Sequence, residues 1–276
     1  MDRLGWAVGF SGTCYGMRVG LRANEQEGLT VFKSWLPRAV RPGRGGVVHT
    51  LYSLVLGGPG HRSGTKRFHL LYRDASQISR SLDLEEVRRA FDRDLSMKIG
   101  ETAPRRVFVH AGVVSFGGGA VLIPGKSFSG KTTLVQALVS QGGVYYSDEY
   151  AVLDSRGRVS PWAEPLSIRM DGPMKRGESR SPDSLGLAVG KRSLPVRLVV
   201  LTSFEKGRRF KPTRVSSAAG TLGLLEHTLP ARKRPRAALR ALASAVSAAQ
   251  VIRGPRGEAG DAARAIVRVL DSPPGS

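Results

Sequence analysis

The sequence predicts an α/β fold of α+β-like character: a mixed β-sheet core that carries a phosphate loop, preceded by an antiparallel β extension. Three observations point there. The apolar run Ala120-Val121-Leu122-Ile123, a glycine-bearing turn, and Thr133 to Ser140 read as strand, loop and helix, with Leu134, Leu138 and Val139 on one helix side. His110 to Phe116, the Gly117-Gly118-Gly119 turn and Ala120 to Ile123 read as a β-hairpin feeding that loop. In a purely parallel, doubly wound sheet a helix would precede the loop strand, so a hairpin there makes the sheet mixed. Upstream, short alternating runs suit a flanking antiparallel sheet.

Residues 1–104 form the N-terminal, mainly β region. Tyr15 to Leu21 alternates as a strand, and Leu29-Thr30-Val31-Phe32, Val47 to Leu56 and Arg67 to Tyr72 read likewise. Gly57-Gly58-Pro59-Gly60 is a turn, and Arg41 to Gly46 a glycine-rich basic loop. His49, His61 and His69 lack acids at metal-ligand spacing and read as ordinary sheet or loop residues. Asp83-Leu84-Glu85-Glu86 resembles a capping box, and Leu84, Val87, Phe91 and Leu95 continue it as an amphipathic helix to about Lys98.

Residues 105–276 hold the chemistry. Gly125-Lys126-Ser127-Phe128-Ser129-Gly130-Lys131-Thr132 fits G-x-x-x-x-G-K-[ST], and with Thr133 it forms the candidate nucleotide-binding set. Glycines allow a tight turn in which successive N–H groups point inward at a polyphosphate. Lys131 reaches the β- and γ-phosphates, and the Thr132 hydroxyl sits on Mg²⁺. A short helix later, the β-prone Val144-Tyr145-Tyr146-Ser147 is closed by Asp148-Glu149. A carboxylate at such a strand end can hold Mg²⁺, and its neighbour can accept a hydroxyl proton. His110, taken alone, is more readily structural than catalytic.

Together, His110-Ala111, the phosphate loop and Ser147-Asp148-Glu149 resemble the catalytic core of HPr kinase/phosphorylase. They look more like its HPr-kinase-related relatives, several of which accompany peptide-modification gene clusters. The resemblance covers residues 105–170 well and much of the rest more loosely. It implies a fold akin to the phosphoenolpyruvate carboxykinase core, with ATP and Mg²⁺ as cofactors. It also implies phosphoryl transfer to a serine hydroxyl of a protein or peptide. By position, Lys131 and Thr132 handle phosphates and metal, Asp148 matches the expected general base, and Glu149 stands on the metal side where bifunctional members carry a second Asp. His110 matches the family's histidine before the loop. His-Ala replaces the His-Gly of the bifunctional enzymes, and their signature segment after the acids has no counterpart in this chain.

The chain has 276 residues, a 41% hydrophobic content and a net charge of +21, from 43 Lys and Arg against 22 Asp and Glu. That composition supports a core rather than disorder, and the charge favours polyanions: nucleotides, acidic peptides or nucleic acid. No nucleic-acid reading motif accompanies the charge, so nucleic acid is not the expected partner. Besides the kinase, a nucleotide-gated accessory protein without turnover and a basic nucleic-acid-binding protein are the alternatives. Cys14 is the single cysteine, which excludes an internal disulfide and a Cys-based zinc site. No segment has transmembrane length, so a cytoplasmic protein without membrane contact is expected; a homo-oligomer stays open.

Beyond the acids, Ala151 to Leu153 continues a strand. Residues 171–193 read as one long loop, bearing Lys175, Arg176, Arg180, Lys191 and Arg192, either functional and mobile or a solvated linker. Val196 to Thr202 is a strand. Val215 to His227 is a helix capped near Ser216, Pro235 opens an Ala-rich helix to about Gln250, and Gly260 to Leu270 is a last amphipathic helix.

Overall fold

The computed structural model describes residues 5–43, 45–58, 67–126, 129–164, 166–169 and 177–272. Expectations on Arg44, His61, Ser127, Phe128, Lys175, Arg176 and the Pro59-Gly60 part of the turn fall outside them. The chain divides into two units, Met1–Arg105 and Arg106–Ser276.

The first unit contains β1 (Val8–Cys14), β2 (Met17–Ala23), α1 (Gln26–Ser34), β3 (Arg41–Pro42), β4 (Thr50–Val55), β5 (His69–Arg73), β6 (Ser76–Ser81) and α2 (Leu84–Thr102). Its six strands lie in the order β3-β1-β2-β4-β5-β6. Leu29-Thr30-Val31-Phe32 is not a strand but part of α1. Gly28, Leu29 and Phe32 are its buried residues, a three- to four-residue spacing, with Glu27 in the first turn and Lys33 in the last, as the helix dipole prefers. The expected antiparallel extension is therefore corrected as well. β2 and β4 pair in parallel, because α1 occupies the crossover between them; the other pairings are antiparallel.

Phe91 of α2 centres this unit's core, with ring centroids 4.7 Å from Phe32 and 5.0 Å from Tyr52. The Tyr52 hydroxyl donates to Asp94 at 2.7 Å, and Arg73 meets the same carboxylate. Asp83 caps α2 by accepting from the Glu85 N–H, as its position before the apolar stripe predicts.

The second unit contains β7 (Val107–Phe116), β8 (Gly119–Pro124), α3 (Lys131–Ser140), β9 (Val144–Ser147), β10 (Tyr150–Leu153), β11 (Val159–Ser160), β12 (Leu166–Arg169) and β13 (Gly177–Arg180). It continues with β14 (Val196–Leu201), β15 (Thr213–Arg214), α4 (Ser217–Leu225), α5 (Pro235–Val246), β16 (Gln250–Arg253) and α6 (Ala259–Asp271). The main sheet runs β11-β10-β7-β8-β14-β16-β15, with β9 also on β7. β8, β14 and β16 are parallel to one another, whereas β7 is antiparallel to β8, β9 and β10. The sheet is mixed, and the fold is α/β.

Side chains alternate between two cores. Val109, Val113, Leu122, Val199 and Val251 pack with Leu224 of α4 and Leu242 of α5. Val114, Val121, Ile123, Leu198 and Ile252 pack with Leu134 of α3 and Ile266 of α6. A sheet covered on both faces needs strands that are largely apolar, which is why 120–123 and 198–201 read as unbroken apolar runs. Each fully buried Leu, Ile or Val contributes about 1.5–3 kcal/mol. Gly112 lets α3 approach this sheet: a Cβ there would lie 2.5 Å from Val135 Cγ2.

Residues 171–193 are not one loop. β13 pairs with β12, and Asp183–Leu185 form a 3-10 turn. Ala188 and Gly190 then hydrogen-bond the Tyr145 main chain of β9. The Ala-rich helix stops at Val246, and Gln250–Arg253 is β16 rather than a helix end.

Candidate functional site

The site forms where β8 leaves β7. Ala111 to Phe116 pair with β8, which ends at Pro124. The chain then turns away as the candidate phosphate loop and re-enters as α3. The Gly125 N–H still donates to the His110 carbonyl at 3.2 Å. On the far side of β7, β9 pairs Val113 to Ser115 and β10 pairs Val107 to His110. Asp148 and Glu149 lie in the break between those two short strands. Ser147 Oγ holds the break by accepting the N–H groups of Glu149 at 3.1 Å and Tyr150 at 2.9 Å. The Ala111 N–H donates to the Glu149 carbonyl at 3.0 Å.

This topology brings the loop and the acids together. The Thr132 hydroxyl donates to Asp148 Oδ2 at 2.9 Å, and the Tyr145 hydroxyl donates to Asp148 Oδ1 at 3.0 Å. Two hydroxyl donors suit an ionised carboxylate. Burial nevertheless raises the Asp148 pKa above its ordinary value, against the Thr132 and Tyr145 bonds and the Lys131 charge, which lower it. Tyr145 is raised by burial and by Asp148, so it stays a proton donor.

Lys131 is the first residue of α3 and is buried. Its ammonium donates to the Gly125 carbonyl at 2.8 Å and the Lys126 carbonyl at 2.7 Å. Burial pulls its pKa down to about 8, opposed by Asp148 and Glu149. The Glu149 carboxylate hydrogen-bonds the Tyr150 side chain. His110 is pushed down to about 4, first by burial, then by Lys131 and His227, so its imidazole is neutral at pH 7. Its ring lies 5.6 Å from that of Tyr150. Thr133 is exposed on the first turn of α3.

Two residues escaped the sequence reading. Arg256, in the turn between β16 and α6, is only 3% exposed. Its Nη2 donates to the Gly130 carbonyl at 2.9 Å and the Ser129 carbonyl at 3.2 Å, so it clasps the loop from 126 residues away in sequence. Gly130 has φ +78, and a Cβ there would lie 2.7 Å from this guanidinium. Glycine is thus favoured by the left-handed conformation, and it leaves room for the arginine. The signal available was the short Gly254-Pro255-Arg256-Gly257 turn between a strand and the last helix. His227 is the second: its carbonyl accepts from the His110 N–H at 2.7 Å, filling the edge of β7 that β8 vacates. Burial lowers its pKa, and Lys131 and Lys126 add to that while Glu226 opposes it.

Thr132 Oγ1 and the Asp148 carboxylate are hard oxygen donors, the kind magnesium takes when most of its shell is phosphate and water. No group of three or more His, Cys, Asp or Glu with metal-holding geometry occurs among the described residues. Nor is any helix among them long and apolar enough to cross a membrane.

No family model matches the sequence, and no curated protein does. Among solved structures, the HPr(Ser) kinase/phosphatase from Coxiella burnetii is similar at 18% identity and a TM-score of 0.36, over 59% of this chain and 95% of that one. The likeness is distant, and the chemistry of the site rests on its own residues.

Proposed function

We propose that the Arg106–Ser276 unit binds ATP with Mg²⁺ and transfers a phosphoryl group to a serine hydroxyl of a protein or peptide. The observation that carries this is the Thr132–Asp148 hydrogen bond, which joins the phosphate loop directly to an acid. A structural glycine turn has no need of a carboxylate at that point. When bound, ATP supplies the phosphoryl group and Mg²⁺ neutralises its charge.

The residues of the chain do the rest by positioning and charge. The amides from Gly130 to Thr132, at the α3 N-terminus, would receive the phosphates. Lys131 exchanges a loop carbonyl for a phosphate oxygen, and Arg256 keeps the loop shape. Thr132 would hold the metal, with Glu149 on the metal side. Asp148 accepts the serine proton, and its raised pKa makes it the stronger base. Neutral His110 orients groups beside Lys131 without adding charge.

The test is Asp148→Asn. Phosphoryl transfer to acceptor serines should fall by about 10²–10⁴-fold, the usual worth of a general base. ATP affinity by calorimetry should hold, because an asparagine side-chain oxygen can still accept from the Thr132 hydroxyl and the loop residues themselves are unchanged. Near-normal turnover would remove Asp148 as base, and lost metal dependence would move it to the metal side in exchange with Glu149. A second reading has one observation behind it: both Asp148 oxygens are already engaged by hydroxyls of the chain itself. A nucleotide-gated accessory protein would bind ATP yet show no transfer in a single-turnover assay.

A further inference from the structure

The N-terminal unit carries a groove that the phosphate-loop chemistry does not use. It has a volume of about 580 Å³ and lies over β1, β2 and β4. Gly9, Ser11 and Gly20 line it beside Arg22, with Val48 and Leu51 also at its wall. The register gives the reason. Gly9 faces Arg22, Ser11 faces Gly20 and Thr13 faces Arg18 across the β1–β2 pair, so one sheet face is made of small residues flanked by arginines. The opposite face bears Met17, Val19, Leu21 and Ala23, all buried. Val47, at the rim, is 85% exposed.

Charge and main chain add to this. From Leu29 to Arg73 the sequence has no Asp or Glu, against eight Lys or Arg. The Arg18 guanidinium lies against Gly46 in the loop beside the groove, and Arg41 is exposed on β3. β3 pairs with β1 only at Gly12 and Thr13, and the Gly43 N–H takes the Ser11 carbonyl. Among the described residues no strand pairs with the β3-side edge of β1 along Val8–Phe10. By strand alternation from Ser11, the N–H and C=O of Gly9 point to that edge.

We propose that this groove docks an acidic, extended peptide segment of a partner protein. Carboxylates of the segment meet Arg18 and Arg41, apolar side chains at alternate positions rest on Val48 and Leu51, and one main-chain unit pairs with Gly9. Nucleic acid fits less well, because it would call for exposed rings on which bases stack. The Trp6 ring is covered by the Arg22 guanidinium, 4.3 Å from its centroid, and the Phe10 ring faces the Lys33 ammonium at 5.2 Å.

The test uses the full chain and three dye-labelled probes in fluorescence anisotropy: an end-blocked peptide of alternating Glu and Val, the same peptide with Lys for Glu, and a short oligothymidylate. The acidic peptide should bind and the basic one should not. Gly9→Val fills the groove without changing charge; its Cβ would meet only the Leu21 carbonyl, at 3.4 Å. Arg18→Glu reverses a charge beside the groove. Each should weaken the acidic peptide by about tenfold or more, while Arg236→Glu on α5 should not. Melting curves of the variants establish that they are folded, and charge reversal at exposed Arg41 gives a second reading should Gly9→Val fail to fold. Equal binding of the two peptides, an equal effect of Arg236→Glu, or displacement of the peptide by the oligothymidylate would each overturn the proposal.

Discussion

The two large sheets of this protein are used in opposite ways. The sheet of the Arg106–Ser276 unit has helices on both faces, α4 and α5 on one and α3 and α6 on the other. Its faces are spent on packing, and polar groups concentrate where strands end: the loop after β8, the acids between β9 and β10, and Arg256 after β16. The sheet of the Met1–Arg105 unit leaves a face of small and basic residues over β1 and β2. The difference teaches where to look for function. A doubly covered sheet acts at its strand ends, and a half-covered one can act through its open face.

Lys131→Ala should give the largest effect on this contrast. It removes a charge-assisted contact worth about 1.5–3 kcal/mol, and so weakens ATP–Mg²⁺ binding by about 10- to 150-fold in calorimetry. Unchanged affinity would mean that the strand end after β8 is not a phosphate site.

A glycine pair comes next. Gly112→Ala forces a Cβ to within 2.5 Å of Val135 in the covered sheet and should cost about 1–3 kcal/mol, read as a lower denaturant midpoint. Gly9→Ala, on the open face, should stay within about 0.5 kcal/mol. Equal costs would break the comparison.

The smallest effect is in pH. His110 titrates near 4 in the folded chain, below its ordinary value. Between that pKa and the ordinary one, the unfolded chain binds the extra proton, so stability rises with pH across this window and is lost as pH falls through it. His110→Gln should flatten the slope of stability against pH there, leaving values above pH 7 unchanged. An unaltered slope would mean that the imidazole is not buried beside Lys131.

What the sequence made legible follows the same division. The strand–loop–helix around Gly125 to Thr132 and the hairpin before it could be read because doubly covered strands are unbroken apolar runs punctuated by glycine. The acids could be read because a polar pair ends such a run. α1 could not: Leu29-Thr30-Val31-Phe32 is short, apolar and partly β-branched, and over so few residues helix and strand periods are not separable. The parallel β2–β4 pairing was lost with it. β16 was hidden because Ala248-Ala249-Gln250 extends an Ala-rich helical pattern without a break. Arg256 and His227 reach the site only through tertiary contacts, Arg256 to the loop and His227 to β7, which no local pattern records.

The His110-Ala111 peptide of β7 receives three distant pieces of chain: Gly125 on the His110 carbonyl, His227 on the His110 N–H, and Glu149 on the Ala111 N–H. None of these bonds can close until its own loop has closed, and each long-range closure must be met before the contact repays it. The site should therefore appear late in folding and all at once, as a keystone does when an arch meets. In hydrogen exchange the amides of Gly125, His110 and Ala111 should open together, at the free energy of unfolding the whole unit rather than that of a fraying loop.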